Sequence, residues 1–393
     1  MAAYRTVVLL VTALFCFAYL SYTQIMPEGK LMLKWQNQFN QYINAFAMTP
    51  FGHRISIGTA EGDVFVYEET GQLICQKTFS SPVQELFFSS NGQELYVKTY
   101  NLLLLDIKNN SVIWEKFKPN HYIEKVWTYR NGNIGLLFLS KTNLEYVFML
   151  INSKGHTLQE FNLPEMYDKF EPLCSDEDNY LFIASESNDL YHMSLNGMVN
   201  WFSRLDPPSV KSNDQPSFWL DINSNGEVCL AYTHEQFGKK GFLVVYYNEA
   251  GDVLWQNEIK QPIIHVQFSD DGKKVMVNTM EEFIIFRTNG SILLNRDQWG
   301  YYSLQAHLMP TSAMIGFYSK YLIQNMQWSS NNEYPNKAML RLMSLDFQKT
   351  KWQKRLHYRD QYFLVSSDGR KYLEIIKPDT IQLYQYQYVP RKT

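Results

Sequence analysis

A unit of roughly forty residues recurs about eight times between Leu31 and Tyr388, and no other feature restricts the possible folds as much. The clearest copy, residues 83–117, reads as an apolar strand, a Gly-containing turn, two more strands, a second turn and a fourth strand carrying Trp114. The same order returns at 263–294. Four short strands per unit, repeated in tandem, predict an all-β chain built as an eight-bladed β-propeller, with seven blades as the alternative count. Such a scaffold hosts enzymes, binders and adaptors alike, so the repeat restricts architecture far more than function.

Composition agrees with strands. Of the 393 residues 45% are hydrophobic and 16% aromatic, with 27 Tyr and 25 Phe, a mixture that suits pleated, half-buried surfaces. A formal net charge of −3 supplies no field to collect nucleic acid. The N-terminus is different in kind. Residues 7–22 carry no charge and follow Arg5, and extended to Met26 the stretch reaches about 20 residues, the length of a tilted membrane-spanning helix. Residues 1–26 are therefore expected to be an uncleaved signal-anchor, a cleaved signal peptide being the alternative, and 27–393 the propeller. Arg5 on one side of the span, with a folded domain on the other, predicts an extracytoplasmic propeller, whether periplasmic, extracellular or lumenal. Only Cys75, Cys174 and Cys229 lie beyond the span, an odd number in different repeats, which is no disulfide framework.

Within the repeat, the first two strands are joined by Asn-Gly or Asp-Gly turns, as at Asn91-Gly92, Asn131-Gly132, Asn225-Gly226, Asp271-Gly272 and Asp368-Gly369. The third and fourth strands are joined by turns marked by Gly71, Asn110, Gly155, Gly197, Gly251 and Gly290. Four residues after each of these come Cys75, Trp114, Gln159, Trp201, Trp255 and Leu294, and Gln348 precedes Trp352 by the same interval. A flat indole on an outer strand buries area against a neighbouring blade, so Trp35, Trp114, Trp201, Trp255 and Trp352 are read as structural blade-interface residues. The run Asp106-x-x-x-Asn110-x-x-x-Trp114 resembles the tryptophan-docking motif of quinoprotein-like (PQQ-like) propellers, with Asn where that family usually has Gly. WD40 propellers are the other relatives, although their paired Gly-His and Trp-Asp signature is missing. The quinone cofactor of the related dehydrogenases would bring adjacent cysteines with it, and this chain has none.

The last repeat, 362–388, holds three strands, and residues 31–39 alternate like the missing fourth. The two chain ends are thus expected to share the closing blade, leaving no open sheet edge. The long insertions 205–217, 233–241 and 324–337 all fall at the end of the blades opposite the tight turns, where binding loops grow. Phosphate loops, paired metal-ligand motifs and nucleophile elbows are missing, and the eight His residues lack ligand spacing. The expectation is a non-catalytic, membrane-anchored scaffold for protein partners, possessing no cofactor, metal or catalytic residues, with Trp328, Tyr334 and Phe237 as candidate partner contacts. The alternative is a ligand-sensing ectodomain or an enzyme with a small-molecule site in the central channel.

Overall fold

The computed structural model describes residues 29–393 apart from 129–131, 144, 164–172, 175–178, 185–188, 195–197, 205–217, 224, 237–238, 270–271, 280–281, 298–301, 309–313, 321–337, 345–349, 357–361, 367–368, 378 and 389–393. The described residues form strands and no helix. They pair into eight four-stranded antiparallel sheets. Seven of these are made of consecutive strands, within residues 43–78, 85–116, 121–162, 173–204, 218–259, 263–297 and 302–356. They are called here the first to seventh sheets. The eighth combines Tyr362–Val365, Lys371–Lys377 and Thr380–Tyr388 with Gly29–Gln38 from the other end of the sequence. This closing sheet has the shared composition that the sequence predicts.

Where their side chains are described, the second and third strands of a sheet are buried on both faces, and their sequences show it. Arg54–Thr59 and Asp63–Glu68 supply Ile55, Ile57, Val64 and Val66, all fully buried. Each hydrophobic cluster spans two successive sheets. One joins Leu373, Ile381 and Leu383 of the closing sheet to Ile55 and Ile57 of the first. Others join first to second, second to third, fourth to fifth and fifth to sixth. The sixth touches the seventh through Ile263–Phe268 and Tyr302–Leu308, and Gly29–Gln38 of the closing sheet touches Thr350–Leu356 of the seventh. Apart from the step from third to fourth, each sheet packs on the next in chain order and the closing sheet packs on the first, as in a ring.

One irregularity recurs in all eight sheets. The register between third and fourth strands slips at Leu33/Trp35, Val66/Tyr67, Leu104/Leu105, Leu150/Ile151, His192/Met193, Tyr246/Tyr247, Ile285/Phe286 and Leu342/Met343. The residue passed over is the one just before the Trp position, for example Ile113 before Trp114 or Leu254 before Trp255. Such a β-bulge bends the strand and re-aims the side chains beside it.

The structure corrects one insertion. Residues 233–241, read from the sequence as a loop, continue the ladder of the fifth sheet: Thr233 pairs with Phe242, His234 with Gly241, Glu235 with Lys240 and Gln236 with Lys239. Strands Val228–Gln236 and Lys239–Tyr247 therefore make a hairpin longer than its counterparts. Consecutive polar residues hid it, because a two-stranded projection has no core face to demand apolar ones at every second position.

Candidate functional site

Four tryptophans make the same contact. The indole N–H of Trp35 donates to the carbonyl of Glu69 at 3.1 Å, that of Trp114 to Ser153 at 2.9 Å, that of Trp201 to Glu249 at 2.9 Å and that of Trp255 to Thr288 at 2.9 Å. Each acceptor lies two residues before a turn glycine of the next sheet. The ring lies flat on that glycine: a Cβ at Gly251 would come within 2.7 Å of Trp201, and one at Gly155 within 2.8 Å of Trp114. These glycines have φ of +90° and +79°, so lack of a side chain serves both the turn and the close approach. Trp201 also stacks on His192 at 5.0 Å, and Trp255 on Tyr246 at 5.1 Å. Trp352 lies in strand Thr350–Leu356, where its backbone pairs with Leu342.

Between the first and second sheets the pair is different on both sides. Cys75 replaces the Trp and Asn110 replaces the Gly. The Cys75 thiol donates to Asn110 Oδ1 at 3.4 Å, and Asn110 Nδ2 donates to the carbonyl of Gln76 at 2.9 Å. Asn110 keeps the left-handed turn, with φ of +51°, which Asn tolerates better than most residues. A small partner leaves room for a side chain, so the unusual Asn at this turn follows from the Cys opposite it.

The first-to-second-strand turns are tied to each other by side chains donating to carbonyls. Arg54 Nη1 donates to Gly92 O at 2.6 Å. Lys371 Nζ, almost fully buried, donates to Phe51 O at 2.9 Å, to Gly52 O at 3.2 Å and to the Glu69 carboxylate. His53 Nδ1 lies 3.0 Å from the same carboxylate. The Lys371 hydrogen bond holds the Glu69 carboxyl below its ordinary pKa. Glu69 thereby stays ionised, and the closing and first sheets are joined at their turns.

Before Trp114, Trp255 and Leu294 the bulge leaves two successive apolar residues facing water. Val112 and Ile113 are 37% and 49% exposed, Val253 and Leu254 52% and 51%, and Ile292 and Leu293 53% and 39%. These pairs edge the tight-turn end of the ring. Titratable chemistry is sparse by comparison. No group of three His, Cys, Asp or Glu among the described residues could hold a metal ion. Burial raises the thiols of Cys75 and Cys229 above their ordinary values, which makes both poor nucleophiles. His192 is fully buried, and desolvation pulls its pKa down to about 4. Asn200 Nδ2 lies 3.2 Å from His192 Nδ1, and Nε2 finds no partner among the described residues.

The proposed partner contacts Trp328, Tyr334 and Phe237 lie outside the described residues, as does the side chain of Trp352. The turn latches of Arg54 and Lys371 had no signal in the sequence, since a cation at the start of a strand reads as an ordinary surface charge.

No family model and no curated protein matches this chain. Solved structures do. The C-terminal WD40 domain of Sif2 superposes with a TM-score of 0.61 at 13% identity, over 92% of this chain and 99% of that one. BamB from Moraxella catarrhalis matches with a TM-score of 0.54 at 10% identity, over 90% and 99%. The WD40 domain of SCAP from fission yeast matches with a TM-score of 0.54 at 10% identity, over 91% and 98%. The fold is that of the WD40-like and quinoprotein-like β-propellers. At such identities the likeness carries the fold and leaves the chemistry to the residues.

Proposed function

We propose that this chain is an eight-bladed propeller, held at a membrane by residues 1–26, whose ring lies outside the cytoplasm and serves as a non-catalytic scaffold for protein partners. The observation that carries this reading is the difference between the two ends of the blades. One end is closed by tight turns that are latched to one another by Arg54 and Lys371. From the other end come the long hairpin of the fifth sheet, the 205–217 link between Arg204 and Phe218, and the 321–337 connection between Lys320 and Ala338. A rigid scaffold that grows long segments on one side has a side for binding. Aromatic residues within them, Trp328, Tyr334 and Phe237, are the anchors such an interface uses.

The test is crosslinking and mass spectrometry on the full chain in its native membrane. Partner crosslinks should concentrate in 205–217, 233–241 and 324–337, and replacing Trp328 and Tyr334 together with Ala should remove them. Crosslinks confined to the tight-turn end, or undiminished recovery of partners by the double variant, would refute the assignment of this face. Protease protection of the intact membrane checks the topology, because a ring digested from the cytoplasmic side contradicts it.

A further inference from the structure

The closing blade is built differently at the tight-turn end. In the first, third, fifth and sixth blades the third and fourth strands meet a turn directly after the pairs Tyr67↔Leu73, Ile151↔Thr157, Tyr247↔Val253 and Phe286↔Ile292. The equivalent pair in the closing blade is Tyr384↔Leu33, and there the ladder continues through Gln385↔Met32, Tyr386↔Leu31, Gln387↔Lys30 and Tyr388↔Gly29. One of these pairs has a counterpart in the other hairpins, such as the bond from Glu68 N to Gln72 O. The remaining three carry the strands about 10 Å past that level at ~3.4 Å per residue. The second strand accompanies them only as far as Lys371↔Gln385 and the bond from Tyr386 N to Arg370 O. Beyond it lies a two-stranded ribbon.

A lone ribbon is marginal in water, and this one is not dressed for water. Met32 and Leu33 are 48% and 50% exposed, Leu31 and Tyr386 are half-buried, and Lys30 and Gln387 are exposed. Neither Gly29–Gln38 nor Thr380–Tyr388 contains an acidic residue, whereas other third-to-fourth-strand turns carry Glu68, Glu69, Asp106, Glu249 and Asp252. Aliphatic and Tyr side chains beside Lys make the composition of a membrane–water interface. Only six residues, 23–28, separate the ribbon from the uncharged stretch 7–22, and Arg391 and Lys392 follow it closely. We propose that this ribbon is a pedestal seated at the headgroup level of an anionic lipid bilayer, fixing the ring with its tight-turn end toward the lipid. The proposal rests on the reading of residues 1–26 as an anchor.

Its test uses the full chain in vesicles of phosphatidylcholine and phosphatidylglycerol in equal amounts, with a photoreactive lipid whose diazirine sits near the headgroup. Flotation after an alkaline wash reports the anchor. Lipid adducts mapped by mass spectrometry report the ribbon. The opposite end of the ring supplies internal controls in Tyr42 and Tyr100, which are 68% and 60% exposed. The expected result is flotation with adducts at Lys30, Met32, Leu33 and Tyr386 at least about fivefold above those at Tyr42 and Tyr100. A Leu31→Ser, Tyr386→Ser variant should still float while losing most adducts at Lys30 and Met32. A chain that floats with ribbon and control residues labelled alike, or with Tyr42 and Tyr100 labelled more, overturns the pedestal and leaves the anchor standing. A chain that washes off the vesicles overturns the anchor, and the pedestal with it.

Discussion

At the scale of single residues, two positions concentrate the cost of error. Gly251 combines a φ of +90° with a Trp201 ring 2.7 Å from where a Cβ would stand. Gly251→Ala therefore meets both backbone strain and a clash, and should lower stability by about 2 kcal/mol or more in urea unfolding. His192 is the second. Its folded pKa of about 4 lies below the value near 6.5 of an exposed imidazole, so the unfolded chain binds the extra proton first. Stability is full above pH 6.5 and is lost as pH falls through 4, by at most on the order of 3 kcal/mol. His192→Phe keeps an aromatic ring against Trp201 and should flatten that part of the pH–stability profile. The sequence showed the tryptophan period because a spacing of four from each turn survives when the flanking residues drift. It could not show His192 as special, since the local pattern does not show which polar side chain the fold buries under an indole from the next strand.

At the scale of elements, the joint between two blades is a matched pair rather than a list of motifs. Trp on Gly and Cys75 on Asn110 are alternative solutions to one geometric problem. Cys75→Trp alone drives an indole into the Asn110 side chain and should be destabilising. Asn110→Gly alone forfeits the bonds to Cys75 and Gln76. Combined, the two restore the pairing seen at Trp114 and Gly155, and a double-mutant cycle should give a favourable coupling of about 1 kcal/mol or more. The sequence exposed Asn110 as a departure from the docking pattern, but its reason sat 35 residues away in another sheet. The 233–241 segment failed to read as strands for a related cause. Pattern reading depends on one buried face, and a projecting hairpin has none. The bulge before each Trp was equally invisible, although it decides that Val253 and Leu254 are both exposed.

At the scale of the molecule, the ring depends on its closure. Strand Gly29–Gln38 completes a sheet begun at Tyr362, and Lys371 ties that sheet to Phe51, Gly52 and Glu69 of the first. Lys371→Met would leave two carbonyls and a carboxylate without their cation, at a cost of about 2 kcal/mol in chemical denaturation, since Glu69 retains access to water. Acid should weaken the same latch, because Glu69 has a lowered pKa and the contribution is present above its unfolded value and lost as pH falls through the folded one. By itself the sequence determined the all-β class, the repeat and the sharing of the closing sheet by both ends. Strand periodicity and Gly-marked turns are local properties, written where they act. Only the tertiary structure decided which carbonyl each indole meets, which cations latch the turns and how far the closing ribbon projects. Each depends on atoms far apart along the chain that meet only in the folded ring, and that separation leaves no local trace of the meeting.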